Sequence, residues 1–111
     1  MREPKLFAQD IVKRCELLIS WRIPDFPYRL STDLMLHEAV LMQLTIIGEA
    51  VKNIDPIILA TQPLIPWRRI AKLRDIVVHV YFGIKDTYIV DIVENQIDEL
   101  LEAARAIEAA L

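Results

Sequence analysis

A chain of 111 residues with 54% hydrophobic side chains forms one domain, spanning 1–111, whose core removes well over half of the unfolded surface from water. A net charge of −3 and a pI of about 5.3 exclude a molecule that attracts nucleic acid by its overall charge. The single cysteine, Cys15, excludes an intramolecular disulfide and a multi-cysteine zinc site.

Mean hydropathy is +0.31, high for so short a chain, and points to a second buried surface, most simply a subunit interface. The richest apolar stretch, Ala39–Met42 with Leu44–Ile47, is interrupted by Gln43 and followed by Glu49 and Lys52. No membrane span of about 18 residues is therefore expected. Glu3, Lys5 and Asp10 leave no apolar segment for a signal peptide, and a reducing cytoplasm is the expected setting. Cys15 reads as a small core residue.

Pro4 suits the first turn of a helix, and Phe7, Ile11, Cys15 and Leu18 then recur at helical spacing up to about Trp21. Pro24 and Pro27 make Ile23–Tyr28 a connector. Ser31, Thr32 and Asp33 offer caps for a helix from about Thr32 to Asn53, in which Gly48 marks the close approach of a neighbour. His37, near its start, has no second His or Cys nearby and reads as a surface or interface residue. Asp55-Pro56 caps a short segment, Ile57–Thr61. A third long helix runs from Pro66 to about Val80 and is stopped by Gly83. Asp86 and Thr87 cap a last helix that continues nearly to Leu111, with Ile89, Val93, Ile97, Leu100, Ala104 and Ile107 on its apolar face. No segment has the alternation of a strand. The expected fold is all-α, a four- to five-helix up-down bundle.

Within the third helix, the stretch Leu73–Gly83 sets Arg74, His79 and Tyr81 in an otherwise apolar ribbon. Histidine transfers protons near neutral pH. Arginine forks onto phosphate oxygens and stabilises added negative charge. The pair suffices for metal-independent RNA cleavage, in which the substrate's own 2′-OH attacks the adjacent phosphate. Five residues on a helix, however, turn Arg74 and His79 about 140° apart. Either the helix ends near His79, or a second copy of the chain completes the site. Structural roles for both side chains stay open on residue type alone. Arg68, Arg69, Lys72 and Arg74 also cluster, either as a solvated face or as a local phosphate-binding patch, while the last stretch from Asp86 is acidic.

Arg74, four residues, His79, one residue and Tyr81 match the R-x4-H-x-Y signature of HEPN ribonucleases, and the chain resembles the HepT-like toxins in particular. The blocks Ile47-Gly48-Glu49-Ala50, Ile65-Pro66-Trp67-Arg68, Arg74-Asp75-Ile76 and Tyr81-Phe82-Gly83-Ile84 occur in the order found in that family, and the likeness covers roughly Thr32 to Asn95. Lys85, where an acidic residue is more usual, and Val90, where a large aromatic is common, depart from the pattern.

The resemblance implies a dimerising HEPN-like bundle with its RNA cleft at the interface. Arg74 would hold the scissile phosphate and His79 would transfer protons. Asp75 would orient Arg74 or contact RNA, and Arg68, Arg69 and Lys72 would support it. Tyr81 would be the residue adenylylated by an antitoxin, a nucleotidyltransferase of the MntA kind. The implied setting is a two-gene toxin–antitoxin system without metal, cofactor, membrane or DNA. The acidic balance favours a selective substrate such as a structured tRNA. Two other readings stand beside it: a non-catalytic substrate-binding or regulatory subunit of a minimal nucleotidyltransferase, and a structural dimeric bundle carrying a vestigial motif.

Overall fold

The structure is a computed structural model and describes residues 2–111. Helix α1 (Pro4–Ser20) has Pro4 in its first turn, and Ala8, Ile11, Cys15 and Leu18 form its buried face. Burial pushes the Cys15 thiol up to about 12, so this cysteine is an unreactive core residue, as its place in the pattern predicts.

The connector expected at Ile23–Tyr28 is partly helix: α2 runs Phe26–Thr32 and buries Phe26 and Leu30. Pro27 ends nothing here. It stands in the first turn, where a missing N–H removes no hydrogen bond. Thr32 closes α2 by donating to the carbonyl of Tyr28 (2.9 Å), so the next helix starts later than the sequence implies. That helix, α3 (Leu34–Lys52), is capped by Asp33, whose carboxylate accepts from the Leu36 amide (3.2 Å).

Helix α3 is the centre of the molecule, touching α1, α2 and the later helical segments Trp67–Ala71 and Leu73–Val80. Its buried side includes Val40, Leu41, Leu44, Ile47, Gly48, Ala50 and Val51. Contrary to the reading of its interrupted apolar runs, α3 is by length and composition apolar enough to cross a membrane. In this fold that apolarity serves packing.

Asp55 caps the short α4 (Pro56–Leu59) by accepting from the Ile57 amide (2.9 Å). The helix expected over Pro66–Val80 is two pieces, α5 (Trp67–Ala71) and α6 (Leu73–Val80). At Lys72 the amide bonds three residues back, to Arg69 (3.2 Å), tightening the turn before the Ile76 amide resumes regular bonding to Lys72. A 3-10 turn, Tyr81–Gly83, follows. Gly83 has no positive φ, so it does not stop the helix by left-handed geometry. An added Cβ there would meet the Val80 Cγ1 at 3.3 Å, and compactness is its contribution.

The last predicted helix is also divided, into α7 (Asp86–Asn95) and α8 (Ile97–Ala110). The Asp91 carboxylate accepts from Asn95 Nδ2 (2.8 Å) and Gln96 Nε2 (2.9 Å), and Gln96 leaves the helical region with φ −121° and ψ −23°. Neither Asp86 nor Thr87 caps α7. Asp86 is its first residue, where a carboxylate favours the positive end of the helix.

Helix α8 packs along α1, and Arg22 fastens that junction. Its guanidinium donates to the carbonyl of Val93 (3.1 Å) and to both carboxylate oxygens of Asp98 (2.7 and 3.1 Å). The described residues contain no strand, and the fold is the all-α helical bundle that the pattern predicts.

Candidate active site

Helices α3 and α6 are antiparallel. Gly48 lies against Arg74 at one end, and Glu38 bonds Tyr81 at the other. The reason for Gly48 is local and steric: a Cβ there would stand 2.7 Å from the Arg74 amide nitrogen and 3.2 Å from the Ile70 carbonyl oxygen. The missing side chain is what lets the backbone at Arg74 rest on α3.

Around Arg74 the charges form a chain. Lys52 Nζ donates to both oxygens of Asp75 at 2.8 Å, Arg74 Nη1 donates to Asp75 Oδ1 at 3.3 Å, and Arg74 Nε lies 3.8 Å from Glu49 Oε2. Lys52 first, and then Arg74, hold the Asp75 carboxyl below its ordinary range. Asp75 therefore sits between two cations and braces Arg74. The Arg74 side chain remains 40% exposed, which leaves part of its fork open to a ligand.

His79 is exposed just before the 3-10 turn that starts at Tyr81, and its side chain has no partner among the described residues. Helix α6 spans Leu73–Val80, and its backbone leaves the helical region at Val80, with φ −123° and ψ 19°. The helix thus ends next to His79, as one of the two expected alternatives has it, but the break comes after His79 and does not turn it toward Arg74; on the helix the two lie about 140° and about 7.5 Å of rise apart.

Tyr81 is half-buried against the core, with the Phe82 ring edge-on at 5.0 Å. Its hydroxyl donates to Glu38 Oε1, and that bond to a carboxylate holds the phenol above its usual range. Phe82 itself is 99% exposed. Of the predicted basic group, Arg68 and Lys72 lie exposed on α5 and its exit, whereas Arg69 borders a groove between α5 and α8 beside Gln96 and Glu99. The cluster in sequence is thus spread over more than one surface.

The structure adds residues that the sequence reading leaves without a role. Glu38, Glu49 and Lys52 hold Tyr81, Arg74 and Asp75. They share, with Thr45, a polar line along the mostly apolar α3 at steps of seven, four and three residues, and that spacing is the signal that marks them. His37, expected to be a surface or interface residue, is partly buried. Its Nε2 lies 3.4 Å from Asp86 Oδ1, linking α3 to the start of α7. The described residues hold no group of three or more His, Cys, Asp or Glu side chains arranged for a metal ion.

An all-helical bundle with an arginine, a histidine and a tyrosine on one short helix and its exit defines a class, the HEPN-type ribonucleases. The match to known proteins is direct: residues 25–107 fit the family described as Ribonuclease HepT-like, and the chain belongs to that family. It is 36% identical over 83 residues to "Probable ribonuclease HepT" of Thermococcus cleftensis, covering 75% of this chain and 76% of the other. Two proteins named "Putative RNase" are similar over nearly all of their length. TTE0752 of Caldanaerobacter subterraneus subsp. tengcongensis is 32% identical over 108 residues, 96% of each chain. MJ0127 of Methanocaldococcus jannaschii is 34% identical over 116 residues, 96% of this chain and 92% of the other. No solved structure matches.

Proposed function

We propose that this chain is the toxin of a toxin–antitoxin pair, a metal-independent endoribonuclease that acts in the cytoplasm as a homodimer. Its RNA site lies where two copies meet, and an MntA-like nucleotidyltransferase silences it by adenylylating Tyr81. One observation carries the dimeric site. Because His79 precedes the break in α6 at Val80, the Arg74 and His79 of one copy point to different sides, and a second copy supplies the missing partner. The face available for that copy is apolar: Met35, Met42, Val78, Val80 and Phe82 are all exposed large hydrophobics on α3, α6 and the turn after it.

In this reading the 2′-OH next to the scissile phosphate is the nucleophile, which selects RNA over DNA. His79 moves the protons, and Arg74 binds the phosphate and neutralises the charge that builds up on it. Asp75, braced by Lys52, orients the guanidinium. Arg68, Arg69 and Lys72 add phosphate contacts, and the overall acidic balance restricts binding to a structured substrate such as tRNA. A nucleotide on Tyr81 adds bulk and negative charge beside the phosphate site and repels RNA.

The test is cleavage of total tRNA and mRNA by purified, unmodified protein in EDTA, beside His79→Ala. Cleavage by the wild type alone is the expected result. No cleavage by either, from folded protein lacking AMP, would replace this reading with that of a binding subunit of a nucleotidyltransferase.

A further inference from the structure

Among the described residues the Tyr81 hydroxyl has one polar partner, and it is a base. Glu38 projects from the first turns of α3, and its Oε1 accepts the phenolic proton. The neighbouring His37 Nδ1 lies 3.9 Å from the same Glu38 Oε1, beyond hydrogen-bond reach. The phenol is not free to wander: its ring packs on the core, and Phe82 meets it edge-on. In the isolated chain the pair is reachable from outside, because the Glu38 side chain is 46% exposed. A carboxylate-bonded phenol keeps its proton at neutral pH, so Tyr81 is a poor nucleophile until something removes that proton in the act of attack.

We propose that Glu38 is the proton acceptor for nucleotidyl transfer onto Tyr81, an inference that rests on the reading of Tyr81 as the modified residue. The phenolic oxygen forms a bond to the α-phosphorus of a nucleoside triphosphate held by the partner enzyme. The bond from that phosphorus to the bridging oxygen breaks, and pyrophosphate leaves. The phenolic O–H bond breaks in the same step, and its proton passes along the existing hydrogen bond to the Glu38 carboxylate. The target chain thereby brings its own general base, and the transferase has only to deliver the nucleotide in line.

The experiment uses the full chain, ATP and the MntA-type nucleotidyltransferase, with AMP addition followed by intact mass over time. Wild type, Tyr81→Phe, Glu38→Gln and Glu38→Asp are compared, each first shown to have wild-type helicity and melting. Glu38→Gln keeps an acceptor oxygen of the same shape but cannot take the proton, and is expected to slow modification about 100-fold. Glu38→Asp keeps a base at shorter reach and is expected to be faster than Glu38→Gln. Modification of Glu38→Gln at the wild-type rate, still on Tyr81, overturns the role of Glu38 and leaves Tyr81 as the target. A wild-type chain that gains no AMP, or gains it equally as Tyr81→Phe, overturns the underlying reading and this inference together.

Discussion

A Cβ placed on Gly48 would lie 2.7 Å from the backbone nitrogen of Arg74. The obstacle is main chain and cannot rotate aside, so accommodation requires α6 to lift from α3. Intrinsic propensity predicts the opposite sign: Gly to Ala inside a helix stabilises by roughly 0.5–1 kcal/mol when nothing intervenes. Gly48→Ala is expected to destabilise the fold by about 1–3 kcal/mol, as overpacked cores do. RNA cleavage should fall as well, because the displaced element carries Arg74. Thermal or denaturant unfolding decides the sign, and a stabilised Gly48→Ala protein would contradict the packing described.

Much of this was legible from residue spacing, but not all of it. The alternation Ile89, Val93, Ile97, Leu100, Ala104, Ile107 marks a buried face equally well for one helix or two. The break at Gln96 arises from the Asp91 side chain, which no period reveals. Pro27 reads as a breaker because a proline ends one helix by the same property that lets it begin another. Gly48 signals a close neighbour, yet only the fold shows that the neighbour is Arg74. Residue types and spacing leave structural roles open for Arg74 and His79, and their chemical reading comes from the R-x4-H-x-Y signature. The Glu38–Tyr81 contact depends on the antiparallel register of α3 and α6, across 43 residues of chain, and spacing alone does not set that register.

Asp98 makes the stability of the fold sensitive to acid. Its carboxyl is held below the ordinary range by the Arg22 guanidinium, which joins the end of α1 to α8. A depressed folded-state pKa contributes stability that is present in full above the unfolded value and is lost as pH falls through the folded one. The pair is largely exposed, so the effect is small, about 0.2–1 kcal/mol. Asp98→Asn is expected to lower stability at pH 7 by that amount and to reduce the loss seen on acidification below pH about 4. Urea unfolding of both proteins at neutral and acid pH reads the difference.

At Arg74, charge alone should not be enough. The side chain is placed by the amide contact at Gly48 and braced by Asp75, a geometry that suits a planar fork. Lysine keeps the charge but loses the two-pronged contact with phosphate oxygens. Arg74→Lys is expected to lose cleavage by about 100-fold, a large share of what one charge-stabilising donor contributes. Circular dichroism should show an unchanged fold. Retention of most activity in Arg74→Lys would mean that Arg74 acts only as a diffuse positive charge.

The position of His79 before the break in α6 leads to a sharper prediction about which copies cooperate. If each site takes Arg74 from one subunit and His79 from the other, Arg74→Ala and His79→Ala chains fail separately but complement one another when mixed. In a mixed dimer one site then receives both intact residues and the other receives neither. Random exchange makes half of the dimers mixed, so about a quarter of the wild-type activity should return. If both residues of a site come from the same subunit, every site in the mixture lacks one of them, and activity stays at the level of the single variants. The mixture is prepared by dissociating and refolding the two chains together, with sedimentation reporting the dimer. Met42→Lys on the exposed apolar face of α3 serves as the control: Met42 is 56% exposed in the isolated chain, and a charge there should prevent both the dimer and the complementation.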